Sequence, residues 1–114
     1  MLEKRITIRP ANGTWVVRAG GAVIGESKNA LELTETGRDP VIYFPRSDLG
    51  MAFLERSDYE TSDPNKGSVV FFNVIAKSGT IGNAAWSYEQ PSTDAAEIGN
   101  YIAFDPEKAT IEEL

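Results

Sequence analysis

An all-β fold, mainly antiparallel and with at most one or two short helices, is what this sequence predicts, and three observations predict it. Apolar and polar side chains alternate with a two-residue period along much of the chain, and no sustained 3.6-residue period competes. Tight glycine-rich turns punctuate the alternating runs. The longest apolar run, residues 69–76, is apolar on both faces, as a central strand covered on both sides is.

Ile6 and Ile8 alternate ahead of Pro10-Ala11-Asn12-Gly13, and a run at 14–18 follows. Asn-Gly between apolar runs predicts a hairpin, because both residues tolerate positive φ. Gly20-Gly21 repeats the device between runs 15–19 and 22–26, so the chain is expected to open as a β-meander. Leu31 and Leu33 then alternate with Glu32 and Thr34. Gly37-Arg38-Asp39-Pro40 turns that strand into Val41-Ile42-Tyr43-Phe44, a β-branched and aromatic run closed by Pro45.

Across residues 46–56, Met51, Phe53 and Leu54 fit either a strand or one helical turn after Ser47, with a short turn and then a strand favoured, and 61–67 read as a polar loop. Lys77-Ser78-Gly79-Thr80 turns the central run into 81–88, an antiparallel partner. Asp94 and Glu97 have the spacing of a capping box, and Gly99 stops a helix of little more than one turn. A last strand occupies 101–104. Asp105-Pro106 ends it, and 107–114 are expected to fray as a flexible tail. With 114 residues, 41% of them apolar, the chain sustains one core, so 1–114 are read as a single domain.

Composition removes whole classes of chemistry. There is no Cys and no His, so disulfides, thiol nucleophiles, Ser-His triads and the usual zinc ligands are excluded, and neither a metal nor another cofactor is expected. The net charge of −6 is uneven: 8 Lys/Arg against 9 Asp/Glu in residues 1–60, and 3 against 8 in 61–114. Nucleic-acid binding needs cationic neutralisation of phosphates, and this chain is poorly built for it. No apolar stretch is long enough for a membrane helix, and Met1-Leu2-Glu3-Lys4-Arg5 does not open a signal region. A soluble, cytoplasmic protein without a membrane or nucleic-acid partner is therefore expected. Its oligomeric state is left open.

The ordered segments Glu35-Thr36-Gly37, Tyr43-Phe44-Pro45-Arg46, Leu54-Glu55-Arg56-Ser57-Asp58, Lys66-Gly67 and Asn83-Ala84-Ala85-Trp86-Ser87-Tyr88-Glu89-x-Pro91 resemble the domain of unknown function 427 family. The resemblance spans about residues 15–107, and the last segment is its most specific part. It implies a tent-shaped, Mss4-like fold in which two antiparallel sheets meet at an angle. Cys pairs that hold zinc in other members of that class are missing, so the metal-free version is implied. The family is sometimes labelled a nucleotidyltransferase domain, and no motif here supports the label. Asp63-Pro64-Asn65-Lys66-Gly67 also departs from the Cys-Pro-Tyr-Lys-Gly arrangement associated with the family.

On a strand, Ala84, Trp86 and Tyr88 share one face and Asn83, Ala85, Ser87 and Glu89 the other. Trp86 and Tyr88 then either fill the core, as aromatic stripes commonly do, or wall a cleft with Glu89 at its rim. Lys66 follows a turn and precedes Gly67, where an ammonium can meet an anion, or it is a solvated loop lysine paired with Asp63 or with a helix-end carbonyl. It is not a P-loop lysine, because no glycine-rich nest precedes it. Tyr43 and Arg46 flank Pro45, at a site rim or simply at a strand end. Glu35 and Glu89 are candidates for acid and base work. Asp58 and Asp63 are candidates for a hard cation, although the spacing of a calcium loop is missing.

Three functions follow. The leading one is a small-molecule or peptide-binding module with its site between the sheets, formed by Tyr43, Lys66, Trp86, Tyr88 and Glu89. The second is a protein–protein interaction domain using an aromatic strand edge. The third, which leaves open whether the protein is an enzyme, uses Glu and Lys chemistry. Aromatics in a concave pocket favour the first, aromatics on a flat surface the second, and a Glu with a strongly raised pKa beside Lys66 the third.

Overall fold

The computed structural model describes residues 5–114. Ten strands run in chain order: β1 Ile6–Pro10, β2 Trp15–Ala19, β3 Ala22–Ser27, β4 Leu31–Glu35, β5 Val41–Tyr43, β6 Leu54–Asp63, β7 Gly67–Ala76, β8 Gly79–Ser87, β9 Ile102–Phe104 and β10 Thr110–Glu113. Helical structure is limited to short 3-10 segments at Arg46–Asp48, Met51–Phe53 and Thr93–Ile98. All pairings are antiparallel and make three sheets, ordered β1-β4-β5, β10-β2-β3 and β6-β7-β8-β9. Phe44 and Ile102 exchange backbone hydrogen bonds of 2.8 and 2.9 Å, which stitch the first sheet to the third.

Turn chemistry explains the local pairings. Gly20 and Gly21, with φ of 58° and 80°, close the β2–β3 hairpin, and Gly37 at φ 81° lies in the turn between β4 and β5. Strand β7 is central, as its two apolar faces predict. Val70, Phe72 and Val74 enter the larger of two apolar clusters, while Val69 enters the smaller. The larger cluster also holds Val17, Ile24, Phe44 and Phe104; the smaller holds Leu33, Tyr43, Tyr88 and Ile98.

Four expectations are corrected. Asn12-Gly13 does not close a hairpin: β1 pairs with β4, Ala11 N–H donates to Ala30 O at 2.9 Å, and the chain then crosses to another sheet at β2. The polar loop is shorter than expected, since Thr61–Asp63 continue β6 opposite Val69, Ser68 and Gly67. Polar composition there reflects a sheet edge, which tolerates it as well as a loop does.

The segment 107–114 is not a free tail, because Thr110–Glu113 pair with β2 and Arg18 meets Glu112 at 2.7 Å. Finally, the 3-10 turn Thr93–Ile98 is capped at Ser92 without a side-chain hydrogen bond, so Asp94 and Glu97 form no capping box.

Candidate functional site

The local geometry around Lys66 starts with Asp63. Its Oδ1 accepts the backbone N–H groups of Asn65 (2.8 Å) and Lys66 (3.1 Å), folding the chain back over Pro64. Ser92 fastens the turn from outside, donating its N–H to Lys66 O at 2.9 Å and its hydroxyl to Asn65 O at 2.8 Å. Gly67, at φ 109°, lets the chain leave; a Cβ there would stand 3.0 Å from Gln90 O. The turn drives the Lys66 side chain inward.

Lys66 is thus only 5% exposed, so the expectation of a solvated lysine is corrected, while its expected pairing with Asp63 is met. Its Nζ donates to Glu35 Oε1 at 2.7 Å and to Asp63 Oδ2 at 3.0 Å, while Asn65 Nδ2 donates to Glu35 Oε2 at 3.0 Å. Burial alone raises the Glu35 carboxyl. The hydrogen bonds from Lys66 and Asn65, with the charges of Lys66 and Arg38, outweigh it and hold the group below its ordinary value. Asp63 follows the same pattern, with burial overcome by Lys66 and by the turn N–H groups.

Two tyrosines roof this cluster. Tyr43 sits on β5 and Tyr88 just beyond β8, with ring centroids 6.5 Å apart, and Lys66 Nζ lies 5.8 Å from the centroid of Tyr88. Trp86, opposite Phe71 and Ala103 in the sheet, donates Nε1–H to the Tyr43 hydroxyl at 3.2 Å. Burial pushes the Tyr43 phenol up to about 12, and burial with the neighbouring Tyr43, Asp63 and Glu35 pushes Tyr88 up as well.

Tyr43, Lys66, Trp86 and Tyr88 therefore come together, and they line one small pocket of about 120 Å³ with Glu35, Arg38 and Asp39. Glu89 does not join them. Its carboxylate is held by Arg46 at 3.0 Å and Arg56 at 2.9 Å, and it lines a separate hollow with Ser68 and Val70. The glutamate at the pocket is Glu35, which the sequence offered only as an acid–base partner of Glu89. The two glutamates share no pocket among the described residues.

Alternation holds from Ala85 to Glu89, with Trp86 and Tyr88 on one side and Ser87 and Glu89 meeting Arg46 on the other, and fails at Asn83–Ala84. Asn83 takes φ 50° at a bulge and donates its N–H to Asn73 Oδ1 at 2.9 Å. Ala84 consequently packs in the larger cluster beside Ala85, while Trp86 packs against the smaller one.

A second hollow of about 350 Å³ opens beside the first. Trp15, Ile42, Phe104, Pro106 and Ile111 wall it, and Asp39, Val41 and Trp86 belong to both hollows. The sequence pointed to neither Trp15 nor Ile111 as a site residue. Trp15 arrives from β2 and Ile111 from β10, paired strands far apart in the chain, and the latter had been read as a tail.

Fold and site together define an all-β domain with a buried, ion-paired polar pocket at one end of an apolar groove. The chain belongs to the family described as domain of unknown function (DUF427), whose model matches residues 7–113. No curated protein matches it. Among the described residues, no helix is long and apolar enough to cross a membrane.

Proposed function

We propose that this chain, acting as a single domain, is a binding module for a small molecule whose apolar body occupies the groove and whose polar end reaches the tyrosine-roofed pocket. One observation carries the reading: the two hollows are contiguous through Asp39, Val41 and Trp86, which joins apolar walls to a few converging polar groups. Tyr43, Lys66, Trp86 and Tyr88 serve in this proposal as pocket residues, with Glu35 in the place expected of Glu89. Lys66 supports the pocket through Glu35 and Asp63. A location in the cytoplasm and the lack of a nucleic-acid partner belong to the same proposal, the latter on the strength of the charge of −6.

The Glu/Lys enzyme reading loses its support. A glutamate with a raised pKa beside Lys66 would have favoured it, and Glu35, the glutamate there, is lowered instead.

Both tryptophans of the chain line the groove, so their indole N–H resonances are site-specific reporters. Titration with 2-phenylethanol, followed by proton–nitrogen correlation spectra, is expected to shift both signals saturably and to raise the thermal midpoint. Unmoved indole signals across neutral, cationic and anionic aromatic probes would overturn the reading.

A further inference from the structure

We propose that the groove selects organic cations, namely amines carrying a compact aromatic or branched apolar body. The inference rests on the binding-module reading above and names the ligand class of the same site.

The groove presents two indoles, and a cation is drawn to the negative face of an aromatic ring, most strongly to that of Trp. Its charged lining residues are Glu32 and Asp39, and neither Lys nor Arg lines it among the described residues. Glu32 is already engaged by Arg9 at 2.9 Å. Asp39 makes no ion pair among the described residues, is exposed, and borders both hollows, so it stands where an ammonium head would pass from one to the other.

The inner pocket continues the pattern. Glu35, Asp39 and Asp63 face it against Lys66 and Arg38, three carboxylates to two cations. Lys66 is spent on Glu35 and Asp63, and Arg38 acts on Glu35. An anion entering here would find Lys66 already taken and Arg38 as the one cation without an ion pair among the described residues, against three carboxylates.

A separate observation concerns Tyr88. The residue is 5% exposed and lines this pocket, yet its hydroxyl makes no hydrogen bond among the described residues. The hydroxyl is not sealed off as a buried atom, so its oxygen stays open to the pocket and can accept an N–H from a bound ammonium. The Tyr43 hydroxyl, by contrast, already accepts the indole N–H of Trp86.

Three probes share one body and differ in the charge of the head: 2-phenylethylammonium, 2-phenylethanol and phenylacetate. Titrated at low salt and read through the tryptophan signals, the ammonium is expected to bind about tenfold more tightly than the alcohol, and phenylacetate more weakly than either. Asp39→Asn should reduce the ammonium's affinity to about that of the alcohol, with an unchanged thermal midpoint, since Asp39 is exposed.

Tyr88→Phe should weaken the ammonium further than the alcohol. Equal binding of all three probes, or preference for phenylacetate, would overturn the cation assignment while leaving a binding groove in place. Full retention of ammonium binding in Asp39→Asn would also overturn it. Failure of every probe would remove both the groove reading and this inference.

Discussion

Tyr43 and Phe44 are neighbours in the chain and are both almost fully buried, yet they enter different interiors. Strand alternation sends Phe44 into the larger cluster, where its ring meets Phe104 edge-on at 6.0 Å, and sends Tyr43 into the smaller one beside Tyr88. The first interior is apolar. The second is capped by Lys66, Glu35 and Asp63, each charged, hydrogen-bonded and largely removed from water. Packing holds the first and electrostatic pairing constrains the second. The proposed site lies beside the second, where polar groups converge on a hollow that continues into an apolar groove.

The sharpest way to break this comparison is to damage each interior and follow the loss with pH. Phe44→Ala should cost about 4 kcal/mol in denaturant unfolding, a cavity effect with little dependence on pH. Lys66→Met should cost about 3 kcal/mol near neutral pH, because it leaves Glu35 and Asp63 buried without their cation.

That second loss should shrink in acid. Glu35 and Asp63 are lowered in the folded protein, so they stabilise it above their ordinary carboxylate values, and this contribution disappears as pH falls through the folded values. The variant has no such contribution to lose, and its stability curve should converge on the wild type's below about pH 4. Parallel curves would mean that Lys66 acts through packing alone.

Much of the first interior was legible in the sequence and much of the second was not. The runs that build β4, β5, β7 and β8 alternate or are apolar throughout, and the glycine turns between neighbours announce their pairing. Tyr43, Trp86 and Tyr88 could be singled out because large aromatics at strand spacing are conspicuous. Partners remote in sequence were hidden. Nothing local says that Lys66 finds Glu35 thirty-one residues earlier, or that Thr110–Glu113 return to β2. Glu89 was misplaced for a related reason: its fate is decided by Arg46 and Arg56, which lie on distant segments.

A smaller effect sharpens the comparison at high pH. Burial raises Tyr43 to about 12, so its contribution is fully present below pH 10 and is lost as pH climbs toward 12. Tyr43→Phe should cost about 1 kcal/mol at neutral pH, chiefly by leaving the Trp86 indole N–H without its acceptor. Above pH 10 the variant should fall less steeply than the wild type. Thermal midpoints measured from pH 9 to 12 would show the crossing slopes, and identical slopes would place Tyr43 outside the set of groups that govern alkaline stability.

The smallest expected effect tests where the site ends. Glu89 closes the segment 83–89, and sequence alone placed it at the rim with Trp86 and Tyr88. In the structure it joins Arg46 and Arg56 at a partly exposed cluster, where Arg46 also donates to Ser87 Oγ and to Asn100 O. Exposed and half-exposed ion pairs contribute little, so Glu89→Gln should change stability by less than about 1 kcal/mol. Probe affinity in the groove should stay within about twofold, since Glu89 lines a different hollow. A tenfold loss of probe binding with an intact fold would mean that the two hollows are coupled through residues 86–89, and the site would then have to be redrawn to include the arginines.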